Sequence, residues 1–292
     1  MNKLKIVFIG GLTNGKIVYD YLNNNRFVDL CLVVTYPDTI EKPRMVFFPE
    51  KDHIVKSLNP DDFMESIRNL DPDYIFVAGW SELLPDELIA IPSNGTIGFH
   101  PSKLPKDRGR SVLAWQIEEG YSETALTMFY YADVPDSGDI LAQEPIQIMF
   151  NDKINDILDK LDKATYSIMR AYFPLIRQNK APRIKQNNDE ATIRRLRNER
   201  DSLIDWDKNS TEIYNKIRAI SSPYPGAHIL YKSIPAKIFQ AKYINGEYWS
   251  NHSDNVPGTV VAKLISNFYV VKTRDGFIQV TIEIEIAPGF VL

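Results

Sequence analysis

Thr96-Ile97-Gly98-Phe99-His100-Pro101-Ser102-Lys103-Leu104-Pro105-Lys106-Asp107-Arg108-Gly109-Arg110 is the stretch on which the reading of this chain turns. Its first five residues read as a short buried strand, which Pro101 ends because proline cannot donate to a ladder. A turn follows, and then a helix over about 110–119. His100, one of only four histidines, thereby falls at the carboxyl end of a strand. Ligands of open α/β sheets bind in the crevice outside those ends.

Working outward, residues 4–10, 28–34 and 73–79 are further apolar strand patterns, and strands follow near 125–132 and 139–148. Between them, residues 15–24 read as a helix, and Asn59-Pro60-Asp61-Asp62 opens another, with Asn as cap and Pro in the first turn. Near-continuous apolar strands alternating with helices predict an α/β fold with a doubly wound, mainly parallel, Rossmann-like sheet. Apolar residues at helical spacing predict a core-facing helix over about 152–178, with Pro174 forcing a kink or break. Residues 184–203 are polar and read as a linker. From Ile204 one helix (210–220) precedes short strands with turns at Asn245-Gly246, Pro257-Gly258 and Asp275-Gly276, the pattern of a small β-barrel-like (OB-like) domain. The expected division is therefore 1–183, a linker over 184–203, and 204–292.

With 44% hydrophobic and 25% charged residues, the chain belongs among globular proteins rather than disordered or fibrous ones. A formal charge of −4 gives no general attraction for nucleic acid, and Arg194-Arg195-Leu196-Arg197 reads first as a solvated face. The single cysteine, Cys31, excludes an internal disulfide framework and reads as a core strand residue. No run approaches the roughly 18 apolar residues of a membrane span, and the amino terminus enters a strand directly, so a cytoplasmic protein without membrane contact is expected.

Gly10-Gly11-Leu12-Thr13-Asn14-Gly15-Lys16-Ile17 imitates a phosphate-binding loop, but Ile17 stands where the magnesium-binding Ser or Thr is required. No two histidines have metal-ligand spacing, so no metal is expected. His100 admits two readings: a strand-end histidine bonded to backbone, or half of an acid–base pair. Its partner in the second reading lies in the turn Asp133-Val134-Pro135-Asp136-Ser137-Gly138-Asp139.

His100 through Pro105, Arg108-Gly109-Arg110, Asp136-Ser137-Gly138 and Ala142-Gln143 together resemble the formyltransferases that use 10-formyltetrahydrofolate. Ile204-Asp205-Trp206, Ile217-Arg218-Ala219 and Pro223-Tyr224-Pro225-Gly226-Ala227 look like the second domain of methionyl-tRNA and sugar N-formyltransferases. The resemblance implies an enzyme that moves a formyl group from 10-formyltetrahydrofolate, its co-substrate, to a primary amine. The expected acceptor is an amino sugar linked to a nucleotide, made for surface glycans. The alternatives are methionyl-tRNA, water (a hydrolase) or a catalytically degenerate homologue. The partner is then a small molecule rather than nucleic acid, and a homodimer is the state common among related sugar enzymes.

The resemblance also assigns roles. His100 matches the histidine that supports the formyl oxygen, and Asp136 the aspartate beside it. Glu82, Leu83 and Leu84 match a loop whose backbone contacts the pterin. Ala132, Asp133, Val134 and Pro135 match the loop at its other edge, and Arg110 a folate-contacting arginine. One position departs: the family carries Asn two residues before the histidine, and this chain has Gly98. Asn94 cannot replace it along the same strand, since six extended residues span about 20 Å.

Overall fold

In the computed structural model, which describes residues 3–48 and 53–292, the apolar runs become strands buried on both faces. In chain order the elements are β1 (Leu4–Gly10), α1 (Thr13–Asn23), β2 (Val28–Thr35), β3 (Ile54–Lys56), α2 (Met64–Leu70), β4 (Tyr74–Ala78), α3 (Asp86–Ile89) and β5 (Thr96–His100). They continue as β6 (Arg108–Gly109), α4 (Val112–Glu118), β7 (Glu123–Tyr130), β8 (Ile140–Gln147), α5 (Ile154–Arg177) and β9 (Ile193–Arg194). After α6 (Ser210–Ala219) come β10 (Ala227–Tyr231), β11 (Ile234–Ile238), β12 (Ala241–Tyr243), β13 (Val260–Lys263), β14 (Phe268–Lys272) and β15 (Phe277–Thr281).

The main sheet has the order β3-β2-β1-β4-β5-β7-β8. Its first five strands are parallel, and β7 and β8 join antiparallel. Strand order reverses between β1 and β4, the switch point at which such sheets leave a crevice. Ile6, Val7, Phe8, Ile9, Ile75 and Phe76 are fully buried, which is why β1 and β4 are apolar without alternation. Cys31 lies on β2 but is only half-buried, so it is not a core residue.

The chain divides into two compact units that are discontinuous in sequence. The first takes the described residues up to Gly109, Glu123–Gln147 and Asp159–Arg194; the second takes Arg110–Ser122, Ile148–Leu158 and Arg195–Leu292. In the first unit, part of the stretch read as a linker is ordered by pairing. Ile184 bridges Ile140, and β9 lies parallel to β6. In the second unit α4 packs on α6. An antiparallel sheet of order β12-β15-β14-β13 and the separate hairpin β10-β11 supply its strands.

Two local expectations change. α5 runs through Pro174 to Arg177 without a break. Pro174 lies in the last turn, where its missing N–H forfeits a single bond. Asn245-Gly246 does not close a hairpin. It opens a 3-10 helix, Gly246–His252, because the Asn245 side chain accepts from the Glu247 amide.

Candidate active site

In the β5–β7 ladder His100 lies opposite Thr127 and Gly98 opposite Phe129. Paired residues share a face, and residues two apart do so as well, so Gly98, His100, Thr127 and Phe129 all address one side of the sheet. The turn after His100 is pinned there by Thr127. Its hydroxyl donates to the Ser102 carbonyl at 2.6 Å and accepts from the Leu104 amide at 3.3 Å. Gln143 adds a bond to the Leu104 carbonyl at 2.9 Å.

His100 is 5% exposed. Its Nε2 lies 2.7 Å from the Asp107 carbonyl oxygen, and its Nδ1 lies 3.4 Å from Asp136 Oδ1. A carbonyl oxygen only accepts, so Nε2 carries a proton and Nδ1 is the nitrogen left to face Asp136. Both sequence readings are therefore realised on one ring: one nitrogen is tied to backbone, and the other faces a carboxylate.

Asp107 and Asp136 both adopt left-handed backbone, with φ of 57° and 59°. This conformation is costly for most residues and is tolerated best by Asp and Asn after Gly. The surroundings hold both turns. Arg194 Nε meets Asp107 Oδ1 at 2.6 Å, and the Asp107 amide donates to Thr192 Oγ1 at 2.8 Å. The Gln186 amide donates to the carbonyls of Asp136 (2.8 Å) and Gly138 (2.7 Å), and its own oxygen accepts from Arg108 Nη2 at 2.7 Å. Gly138 is required as glycine, since a Cβ there would lie 1.8 Å from the Tyr130 carbonyl oxygen.

Burial pushes the Asp136 carboxyl up. The hydrogen bond and charge of His100, the Gly109 amide at 2.8 Å and the Arg108 guanidinium outweigh it and hold the carboxyl below its ordinary value. A carboxylate kept ionised beside an imidazole can receive a proton and can stabilise one on Nδ1. That is acid–base chemistry suited to addition at a carbonyl.

The remaining sequence-expected residues have varied placements. Glu82 is paired to Lys42 at 2.6 Å, Leu83 is 79% exposed, and Leu84 is in the core. Ala132 is half-buried, while Asp133, Val134 and Pro135 are exposed. Arg110 is exposed and belongs to the second unit. Asp107, Thr192, Arg194 and Gln186 were not legible as site residues. The last three lie in a polar stretch with no periodicity, and only the return of the chain beside β6 gives them their partners. Among the described residues, no group of three or more His, Cys, Asp or Glu is arranged to hold a metal ion, and no helix is long and apolar enough to cross a membrane.

Comparison with known proteins adds to this geometry. The family described as "Formyl transferase" matches residues 4–172, and "Formyl transferase, C-terminal domain" matches residues 197–288. The methionyl-tRNA formyltransferase of Mycoplasma capricolum is 30% identical over 94% of this chain and 88% of its own length. An N-formyltransferase of Helicobacter canadensis, solved with folinic acid and dTDP-3-aminofucose, superposes with a TM-score of 0.70 at 19% identity, covering 97% of this chain and 99% of its own. HypX of Aquifex aeolicus, solved with tetrahydrofolic acid, superposes with a TM-score of 0.70 at 20% identity, and this chain spans 44% of its length. At these identities the two structural likenesses are of fold.

Proposed function

The chain belongs to the formyl transferase family, whose members are enzymes that move formyl groups, and we propose that this one carries the formyl of 10-formyltetrahydrofolate to the primary amine of a nucleotide-linked amino sugar. The observation that carries the reading is the pairing of buried His100, at the end of β5, with the half-buried Asp136. In it, the doubly protonated His100 ring keeps Nε2–H on the Asp107 carbonyl and directs Nδ1–H to the formyl oxygen as negative charge builds there. Asp136 receives the proton that the attacking amine releases. The folate is a substrate, consumed once per turnover. Exposed Leu83 and Val134 suit the flat apolar face of a pterin, and the backbone of 132–135 is left to meet its polar edge.

For the acceptor, the arginine-rich run supports a small molecule. Arg194 is paired to Asp107 at 2.6 Å, Arg195 to Asp201 at 2.5 Å, and Arg197 to Glu118 at 2.6 Å. Residues 195–292 carry twelve Lys and Arg against ten Asp and Glu, which makes no basic stripe of the kind a transfer RNA requires. The Helicobacter canadensis neighbour, solved with a dTDP-amino sugar, is in keeping with this choice. A second reading, methionyl-tRNA as acceptor, is favoured by the 30% identity to the mycoplasma enzyme.

One assay decides between them: purified protein with 10-formyltetrahydrofolate and, separately, a panel of dTDP- and UDP-linked amino sugars and methionyl-tRNA, read by mass spectrometry. The expected result is one added formyl on a sugar, with His100→Ala slowing transfer by about 10²–10⁴-fold. Formylation of methionyl-tRNA alone, or release of formate without an acceptor, refutes the proposal.

A further inference from the structure

An oxygen that gains charge during acyl transfer needs fixed donors aimed at it. On the face that holds His100 the supply is short. His100 has one proton to offer, at Nδ1, because Nε2 is committed to the Asp107 carbonyl at 2.7 Å, and that proton is shared with Asp136 at 3.4 Å. Gly98, two residues earlier on the same strand and face, has no side chain to contribute.

The space over Gly98 is filled from elsewhere. A Cβ at residue 98 would lie 2.2 Å from Tyr131 Cε2, 3.0 Å from its Cδ2 and 3.2 Å from Phe129 Cε1. The Tyr131 ring stacks on Phe129, centroids 5.4 Å apart and planes 12° apart, and its amide donates to the Thr96 carbonyl at 2.8 Å. Tyr131 is thus wedged between a fixed aromatic ring and the bare Gly98 backbone, with its hydroxyl two bonds beyond the atom that touches Gly98. We propose that this phenol is the second hydrogen-bond donor to the formyl oxygen, taking the place beside His100 that a side chain at residue 98 would otherwise hold.

Burial pushes the phenol well above its ordinary value, and the charge of Asp136 and the Tyr36 phenol push the same way, so it stays protonated and able to donate at neutral pH. Asp136 reaches it through charge and not through a hydrogen bond, which leaves the donor available to substrate. The inference rests on the formyl-transfer reading and deepens it. As the amine nitrogen bonds to the formyl carbon, the C=O π pair moves onto oxygen. Tyr131 and His100 then share that charge without giving up their protons. When the C=O reforms, the bond to the folate nitrogen breaks. Its electron pair takes the proton that the amine released to Asp136. The products are a formamide and tetrahydrofolate, and the balance is complete.

Tyr131→Phe tests this, because it keeps the ring that fills the space and deletes only the hydroxyl. The expected kcat falls about 10²-fold, with KM for both substrates within about threefold of the parent. Difference infrared spectroscopy of bound, ¹³C-formyl-labelled 10-formylfolate supplies a readout independent of turnover. Its carbonyl band is expected at higher frequency in Tyr131→Phe, since a donor to that oxygen is lost. Turnover within about threefold of the parent, or a band that does not move, overturns the assignment of Tyr131. A parent enzyme that leaves 10-formyltetrahydrofolate intact with every acceptor overturns the formyl-transfer reading and this assignment together, a result distinct from failure at Tyr131 alone.

Discussion

Gly98 and Tyr131 form one packing unit, and each makes sense only beside the other. Gly98→Ala drives a methyl into the Tyr131 ring edge, and the overpacking should cost about 1–3 kcal/mol in urea unfolding. In a Tyr131→Ala background the same change should cost less than about 0.5 kcal/mol, because the colliding atoms are gone. Equal costs in the two backgrounds would mean that the ring is not what excludes a side chain there. Asp136 sets a pH dependence whose sign follows from its lowered folded-state value. Its contribution to stability is present above the ordinary aspartate value of about 3.9 and is lost as pH falls through the lower folded value. The parent should therefore lose stability relative to Asp136→Asn as pH falls from about 5 to about 3. Urea midpoints across that range check it. A difference between the two that stays constant as pH falls would place the acid-titrating group elsewhere.

At the scale of elements, the strand-end histidine depends on a segment some ninety residues further along the chain. β9 lies beside β6, and Arg194 and Thr192 clamp Asp107, whose carbonyl holds His100 Nε2. Asp107→Asn tolerates the left-handed backbone but leaves Arg194 without its carboxylate. Arg194 is one-fifth exposed, so the expected loss is about 2 kcal/mol, below that of a fully buried pair. Because the turn that fixes the histidine tautomer loosens, kcat/KM should fall about tenfold. Nitrogen NMR of the His100 ring checks the cause: a mixture of tautomers is expected, and a single unchanged tautomer with full activity would show that β9 does not support the site. Sequence periodicity could not reveal this element. A two-residue strand carries no pattern, and its pairing is set by where the chain returns.

For the molecule as a whole, charge decides what kind of acceptor it suits. The formal charge is −4, and the arginines of the run read as a solvated face are paired with Asp107, Asp201 and Glu118. An enzyme making six to ten phosphate contacts to a nucleic acid loses about 10³–10⁵ in affinity between 50 and 200 mM salt. Here the acceptor KM should change by less than about tenfold over that range, because a nucleotide sugar presents only two phosphates' worth of charge. A steep salt slope would return methionyl-tRNA to first place.

By itself, the sequence determined the alternation of strands and helices, the placing of His100 at a strand end, and a resemblance to the formyltransferases that the family matches bear out. Local periodicity, proline stops and short motifs carry that information because each acts within a few residues. Only the tertiary structure decided which histidine nitrogen faces Asp136, that Gln186 and Arg194 brace the two turns, and that Tyr131 covers Gly98. Those contacts join residues 33 to 87 positions apart, as in Gly98 with Tyr131 and Asp107 with Arg194. Strand register and close packing bring such residues together, and neither leaves a mark within a local stretch of sequence.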